Sequence, residues 1–229
     1  MTENIRISAK VLGGMALPDY CPRCFWIKLH TKKLPWQIFP GIFSSIDAYT
    51  KKAVRVMIDN DSVLQPSWIH AMRVVGYVDK VPNWRTFYME TRFGITLTGV
   101  PDDIFLTDNG QDIIPDHKTA KFTKNQDKLL PMYEIQLNGY AKIHENQTKR
   151  RIRALPLMYW QPQTEQRDAE YATGPDGFYM NFKPYIHMVP RDISKVDVLL
   201  EQARALYDNP IPDHNEDCED CRLLAAIPR

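Results

Sequence analysis

Two carboxylates and a lysine are the first residues whose types and spacing could do chemistry. Gly99-Val100-Pro101-Asp102 is followed, after a turn, by Asp116-His117-Lys118. Side chains of an extended segment alternate faces, so Asp116 and Lys118, two apart, share one. The intervening Asn109-Gly110 pair is a tight-hairpin signal. It predicts a strand near 96–106 paired with one near 112–118, with Asp102 lying alongside Asp116 and Lys118. Two carboxylates and an ammonium in one small volume suit phosphodiester hydrolysis. Hard oxygen ligands hold Mg2+ or Mn2+ with several of its waters. Such an ion polarises the phosphate and lowers the pKa of a bound water. The lysine positions or activates that water and neutralises developing charge, and the carboxylates keep it charged.

A second set of residues points to a different metal. The four cysteines form two CxxC pairs, Cys21 with Cys24 and Cys218 with Cys221. In a reducing compartment stable disulfides are not expected, and four thiolates suit either tetrahedral Zn2+ or an iron–sulfur cluster. The pairs stand near opposite ends of the chain, so the metal would staple those ends together. The stapled module would comprise residues from about 15–40 and 208–229. His214, near the second pair, is a spare donor that four cysteines make unnecessary.

The elements that must position these groups are legible as periodicities. Residues 1–20 read as a lead-in, a short strand or arm, and Cys21-Pro22-Arg23-Cys24-Phe25-Trp26 opens an aromatic-rich segment. Two prolines and a glycine make 34–41 a loop. A helix is expected over 44–59, capped by Ser44 or Ser45, with Ile46, Tyr49, Ala53 and Val56 on its inner face. Segments 72–78 and 86–90 read as strands, broken by Pro82-Asn83. A helix over 131–146 carries Tyr133, Ile135, Leu137, Tyr140 and Ile143. Strands are expected at 152–161 and 178–188 with a surface loop over 162–177, and a last helix at 194–207 with Val196, Leu199, Leu200, Ala203 and Leu206 buried. The order predicts an α/β or α+β layer fold, one domain over 1–229 built round a central mixed sheet.

Bulk properties narrow the function. The 229 residues carry a formal net charge of +1, with 44% hydrophobic and 25% charged residues. That balance argues against a protein coated in positive charge for indiscriminate DNA packaging. A local strip, Lys149, Arg150, Arg151 and Arg153, could still meet phosphate, or be a solvated turn. No apolar run approaches the roughly 18 residues that span a bilayer, and the first ten residues lack the features of a signal peptide. A cytoplasmic location with no membrane partner is the expectation. Tyr20, Phe25, Trp26 and Trp36 could stack on bases or pack around the metal module.

Gln136 and Tyr140, at i and i+4, share one face of the helix that follows Lys118. With GxxD at Gly99–Asp102, (D/E)xK at Asp116–Lys118, QxxxY at Gln136–Tyr140 and cysteines at both ends, the chain resembles the RecB-like branch of the PD-(D/E)xK nucleases. It looks most like the iron–sulfur members, the CRISPR-associated RecB-like exonucleases and AddB-type nuclease domains. The resemblance runs from Cys21 to Cys221 in the expected order. It implies a restriction-endonuclease-like core of mixed sheet flanked by helices. It also implies Mg2+- or Mn2+-dependent cutting of DNA, as an exonuclease acting on single strands or ends, with protein partners in CRISPR adaptation or recombination. Asp102, Asp116 and the backbone carbonyl of His117 would hold the ion, Gln136 and Tyr140 would hold DNA or orient Lys118, and the cysteines would hold a [4Fe-4S] cluster, with Zn2+ as the alternative. Two departures stand out. Counting from Gly41, the helix histidine of a GxxxH pattern falls on Ser45, leaving Asp47 as the nearest substitute ligand, and the cysteines divide two and two rather than one and three. The missing histidine also admits a weakly active or inactive nucleic-acid-binding adaptor on the same fold.

Overall fold

The computed structural model describes residues 4–31, 40–60, 65–123 and 128–226. The segments expected at 34–41 therefore fall mostly outside the described residues, as does Trp36. Strand β1 (Ile5–Ser8) leads directly into helix α1 (Ala9–Gly13), where Ser8 Oγ accepts from the Val11 N–H at 3.2 Å. Ile7, Ala9 and Leu12 are buried, so this stretch is core rather than a lead-in arm. Helix α2 (Pro22–His30) carries the first cysteine pair at its start, with Pro22 in the turn that needs no N–H partner.

Helix α3 (Gly41–Asp59) begins three residues before the expected serine caps. Ser45 Oγ instead donates back to the Gly41 carbonyl at 3.2 Å. Its buried stripe is Thr50, Val54 and Ile58. Tyr49 and Val56, expected inside, are 72% and 66% exposed. Apolar residues lie all round this helix, so two stripes can be read from the sequence. The chosen one also turns Asp47, Lys51 and Arg55, each one turn apart, toward the loop that bears Asp102. A short helix that the periodicity does not announce, α4 (Ser67–Met72), precedes the first long run of strands.

Those strands are β2 (Val74–Tyr77), β3 (Tyr88–Glu90), β4 (Ile95–Thr98), β5 (Phe105–Thr107), β6 (Asp112–Ile113) and β7 (Asp116–Lys118). Helix α5 (Leu130–Thr148) and strand β8 (Ile152–Pro162) follow, then α6 (Gln166–Ala172), β9 (Thr173–Gly174), β10 (Gly177–Phe178), β11 (Phe182–Val189), α7 (Ile193–Asp208) and α8 (Glu219–Ala225). The expected loop over 162–177 thus contains a helix, started by a reciprocal Glu165–Asp168 capping box, and a strand of a two-residue ladder.

The central sheet is mixed, in the order β11-β8-β6-β5-β2, with β7 also on β8. Strands β6 and β7 run parallel to β8 one after the other. Pro115, which has no N–H to give the ladder, falls at the break between them. Asn109-Gly110 turns the chain between β5 and β6 as expected, with Gly110 at φ 78. The single strand expected over 96–106 is instead two. β4 belongs to a three-stranded sheet with β1 and β3, and β5 to the central sheet. Asp102 sits in the crossing between them, not on a paired strand.

Alternation along β8 divides the core. Leu155, Leu157 and Tyr159 face one cluster with Ile135, Leu137 and Ile143 of α5 and Val196 and Leu200 of α7. Met158 and Trp160 face another with Val54 and Ile58 of α3 and Trp68 of α4. Helices therefore flank both faces of a mixed sheet, the layer fold the element order implies. No helix among the described residues is long and apolar enough to cross a membrane.

Candidate functional site

Strand β7 places its residues by register on β8. Asp116 pairs with Leu157 and Lys118 with Tyr159, while His117 pairs with Met158. Laterally paired residues share a face, so Asp116 and Lys118 point toward α5 and His117 points toward α3 and α4. Lys118 Nζ and Asp116 Oδ2 form an ion pair, and the ammonium lies 4.5 Å from the centre of the Tyr133 ring on α5. From the same helix Gln136 Nε2 donates to Asp116 Oδ1 at 2.8 Å and to Tyr140 Oη at 3.1 Å. The two residues of the QxxxY element are both 4% exposed. Gln136 holds the carboxylate, and Tyr140 holds Gln136.

Asp102 arrives by a different route from the expected hairpin. Its Oδ2 accepts the His117 backbone N–H at 2.8 Å, and its Oδ1 lies 2.8 Å from Lys51 Nζ on α3. Lys51 also reaches Asp47 Oδ2 at 2.8 Å. One turn further on, Arg55 donates to both oxygens of the buried Asp103 at 3.1 Å. Two cations of α3 thus dock onto adjacent carboxylates of the Asp102-Asp103 bend. The N–H and C=O of one strand residue leave by the same edge, so the His117 carbonyl shares the Asp102 side of β7. The His117 imidazole is turned away: Trp160 Nε1 donates to its Nδ1 at 3.1 Å, which puts the proton on Nε2. Burial lowers its pKa to about 4, so the ring is a neutral core group.

The electrostatics follow from burial and pairing. Burial raises the Asp116 carboxyl to about 6 against the pull of Lys118. Burial also acts on Asp102, but Lys51 and the His117 N–H outweigh it and hold this carboxyl below its ordinary value. Burial opposes the charge on Lys118, and Asp116 restores it, leaving the ammonium above its usual range. One acid is therefore firmly ionised and the other is poised near neutrality, both beside a charged lysine.

These groups line an open cavity of about 340 Å³ together with Ser8, Lys10, Asp47, Trp84, Gly99, Val100, Gln136 and Tyr140. The chemistry of the donor set fits a hard divalent cation, because both carboxylates face the cavity and each oxygen keeps a lone pair beyond its present partner. Gln136 Oε1 is buried and accepts no hydrogen bond from the described residues, so a further donor such as an ion-bound water would be satisfied there. Gly99 closes the back wall, where a Cβ would lie 2.5 Å from Tyr140 Cε1. Sequence reasoning missed Lys51 and Trp84. The first was legible as the i+4 partner of Asp47; no pattern announced the second. All four residues of the basic strip are exposed. Arg150 is engaged by buried Asp112 at 2.5 and 2.8 Å, and Lys149 occupies the left-handed cap of α5 at φ 62.

The four cysteines come together as their spacing implied, at the starts of α2 and α8. Their sulfurs all lie within 4.8 Å of one another, with Cys24–Cys221 at 3.3, Cys24–Cys218 at 3.6 and Cys21–Cys221 at 3.8 Å. Burial pushes the Cys21 thiol up, but backbone N–H groups of Cys24 and Asn215 overcome it and bring it down to about 6. Cys24 and Cys221 are raised by burial. Such a group could hold a metal. His214 is not in it. Nearby, Phe25 is buried and packs edge-on against Tyr20 at 5.9 Å, and the Trp26 ring stacks on His30 at 3.7 Å, so these aromatics serve packing.

No family model and no curated protein matches the chain. Among solved structures, one described as "Crystal structure of SSO0001" is similar at 16% identity and a TM-score of 0.45. The match covers 100% of this chain and 88% of that one.

Proposed function

We propose that the protein is a divalent-metal-dependent nuclease of the PD-(D/E)xK class, built on a restriction-endonuclease-like core, that cuts DNA as an exonuclease with single-strand preference. The observation that carries the reading is the meeting of Asp102, Asp116 and Lys118 in one cavity, with Gln136 and Tyr140 hydrogen-bonded behind Asp116. Asp102, Asp116 and the His117 carbonyl would hold Mg2+ or Mn2+, which would supply Lewis acidity and a more acidic bound water. Lys118 places a positive charge beside the reacting phosphate and a donor for the attacking water. Gln136 fixes the Asp116 carboxylate, and Tyr140 fixes Gln136.

For the thiolate cluster we favour a single tetrahedral ion. A Zn–S length of about 2.3 Å places tetrahedral sulfurs about 3.8 Å apart, close to the separations here. A four-iron cluster puts each thiolate on a separate iron corner and so holds them farther apart. The resemblance to iron–sulfur nucleases speaks for the cluster. Metal analysis with the visible spectrum of anaerobically purified protein separates the two: zinc without a band near 400 nm supports the ion.

The nuclease reading is tested by incubating single-stranded and duplex DNA with protein and Mg2+ or Mn2+. Cutting should be lost in Lys118→Met and in Asp116→Asn, and activity surviving in both variants would refute the assigned centre. The second reading, a DNA-binding adaptor without cleavage, is favoured by one contact, Lys51 on Asp102. It predicts DNA retention with no cutting in any divalent metal.

A further inference from the structure

The contact that favours the adaptor also suggests how a working centre would be controlled. Lys51 Nζ stands 2.8 Å from both Asp47 and Asp102, so one ammonium bridges two carboxylates. Asp47 and Asp102 line the cavity with Asp116. Asp102 has its other oxygen on the His117 N–H. An ion that takes Asp102 must therefore either displace Lys51 or sit within a few ångströms of its charge. We infer that Lys51 is an internal cation that makes divalent-ion binding dependent on substrate phosphate. The inference rests on the nuclease reading.

The argument is one of charge. Three carboxylates, Asp47, Asp102 and Asp116, face three ammoniums, Lys51, Lys118 and Lys10, the last also lining the cavity. The ionised centre is thus balanced before an ion arrives. A divalent ion alone leaves two positive charges in excess. Each phosphodiester that binds with it lowers that excess by one. In a partly buried site, where unit charges a few ångströms apart interact strongly, that difference favours joint binding over binding of the ion alone. Geometry provides the path. Lys51 is 29% exposed, keeps Asp47 as an anchor one turn away on its own helix, and can turn its ammonium from Asp102 to an incoming phosphate. Removing its charge halves the excess that the ion alone leaves, so the ion depends less on phosphate. By linkage, the ion must then strengthen phosphate binding as much as phosphate strengthens ion binding.

The test measures Mn2+ binding by electron paramagnetic resonance of the free ion at pH 8, with and without a phosphorothioate single-stranded oligonucleotide that resists cutting. Wild-type protein should bind Mn2+ weakly alone and about tenfold or more tightly with the oligonucleotide. Lys51→Met should bind Mn2+ about tenfold or more tightly than wild type without the oligonucleotide, and the oligonucleotide should add less than it adds to wild type. Lys51→Gln, a polar replacement, guards against misfolding of the first variant and should behave alike. If both variants bind no tighter than wild type, the role of Lys51 is overturned while the metal centre stands. If Mn2+ binding in wild type is indifferent to Asp102→Asn and Asp116→Asn, the metal centre itself is overturned, and this inference with it.

Discussion

Gly99→Ala is the substitution that most directly probes whether α5 holds the Asp116 carboxylate. A Cβ at position 99 would lie 2.5 Å from Tyr140 Cε1, 2.7 Å from Cδ1 and 3.1 Å from Phe87 Cδ1. Ordinary carbon contacts are about 3.5–4.0 Å, so the ring must retreat by about 1 Å. Little room is available for that. Tyr140 is 4% exposed, its ring meets Phe87 edge-on at 6.0 Å, and its hydroxyl accepts from Gln136. Overpacking of this kind costs about 1–3 kcal/mol. For a chain of this length that is roughly 2–12 °C in unfolding midpoint. Displacing Tyr140 also displaces the Gln136 amide that holds Asp116. A misplacement of about 1 Å can cost about a hundredfold in rate, so cutting should fall by roughly ten- to a hundredfold. Calorimetry and a single-strand digestion assay read the two effects separately. The decisive control is Tyr140→Leu, which deletes the ring atoms that meet the new methyl. In that background Gly99→Ala should lose most of its stability cost, giving a favourable coupling in the double-mutant cycle. An unchanged midpoint for Gly99→Ala, or its full cost persisting beside Tyr140→Leu, refutes the reasoning.

Three other substitutions test separate parts of the structure. Gln136→Leu keeps the volume but leaves Asp116 Oδ1 without its 2.8 Å donor; it should lower the cutting rate by about ten- to a hundredfold, and an unaltered rate would remove Gln136 from the site. Arg55→Met strands Asp103, which is 0% exposed and held by both guanidinium contacts. Denaturant unfolding should show a loss of about 3–5 kcal/mol, against a negligible loss if the pair merely decorates the surface. Cys221→Ser breaks the thiolate set that joins α2 to α8; metal per chain measured by mass spectrometry should fall from about one toward zero, with a lower unfolding midpoint. Retention of full metal content would show that the other ligands suffice.

The sequence revealed the chemical groups better than the backbone that carries them. Asp116 and Lys118 share a face because any strand alternates, whatever its neighbours, and Gln136 and Tyr140 share one because any helix repeats near four. Each CxxC pair is legible because its spacing is local, whereas the meeting of the two pairs across 194 to 200 residues is a property of the fold. Asp102 does lie beside Asp116 and Lys118, but not through the hairpin that the sequence suggests. Its loop is drawn in by Lys51 and Arg55 from a helix some fifty residues earlier, and nothing local encodes that pairing. The same limit explains α3, where apolar residues on several sides leave the buried stripe to be selected by the bend it docks against. The 96–106 strand failed differently. Its β-forming residues are real, but the chain leaves one sheet after Thr98 and joins another at Phe105. Propensity cannot say which partner a strand will find.

Under the nuclease reading, α3 brings a different kind of group to the site from the histidine that the resemblance implies at position 45. A histidine at position 45 would have added a neutral ligand; Ser45 spends its hydroxyl on the Gly41 carbonyl instead and faces solvent. The next turns supply Asp47 and Lys51, a carboxylate and an ammonium already paired with each other. That exchange alters the sign of what α3 contributes. A histidine strengthens ion binding at any substrate concentration, whereas an ammonium on Asp102 weakens it until an anion gives the ammonium another partner. The price is affinity for the free ion. What the arrangement gains is a centre whose charge is nearer balance with ion and phosphate together than with the ion alone. It is also why the adaptor and nuclease readings part at Lys51: a permanent bridge to Asp102 would keep the ion out, and an exchangeable one would only make it wait for substrate.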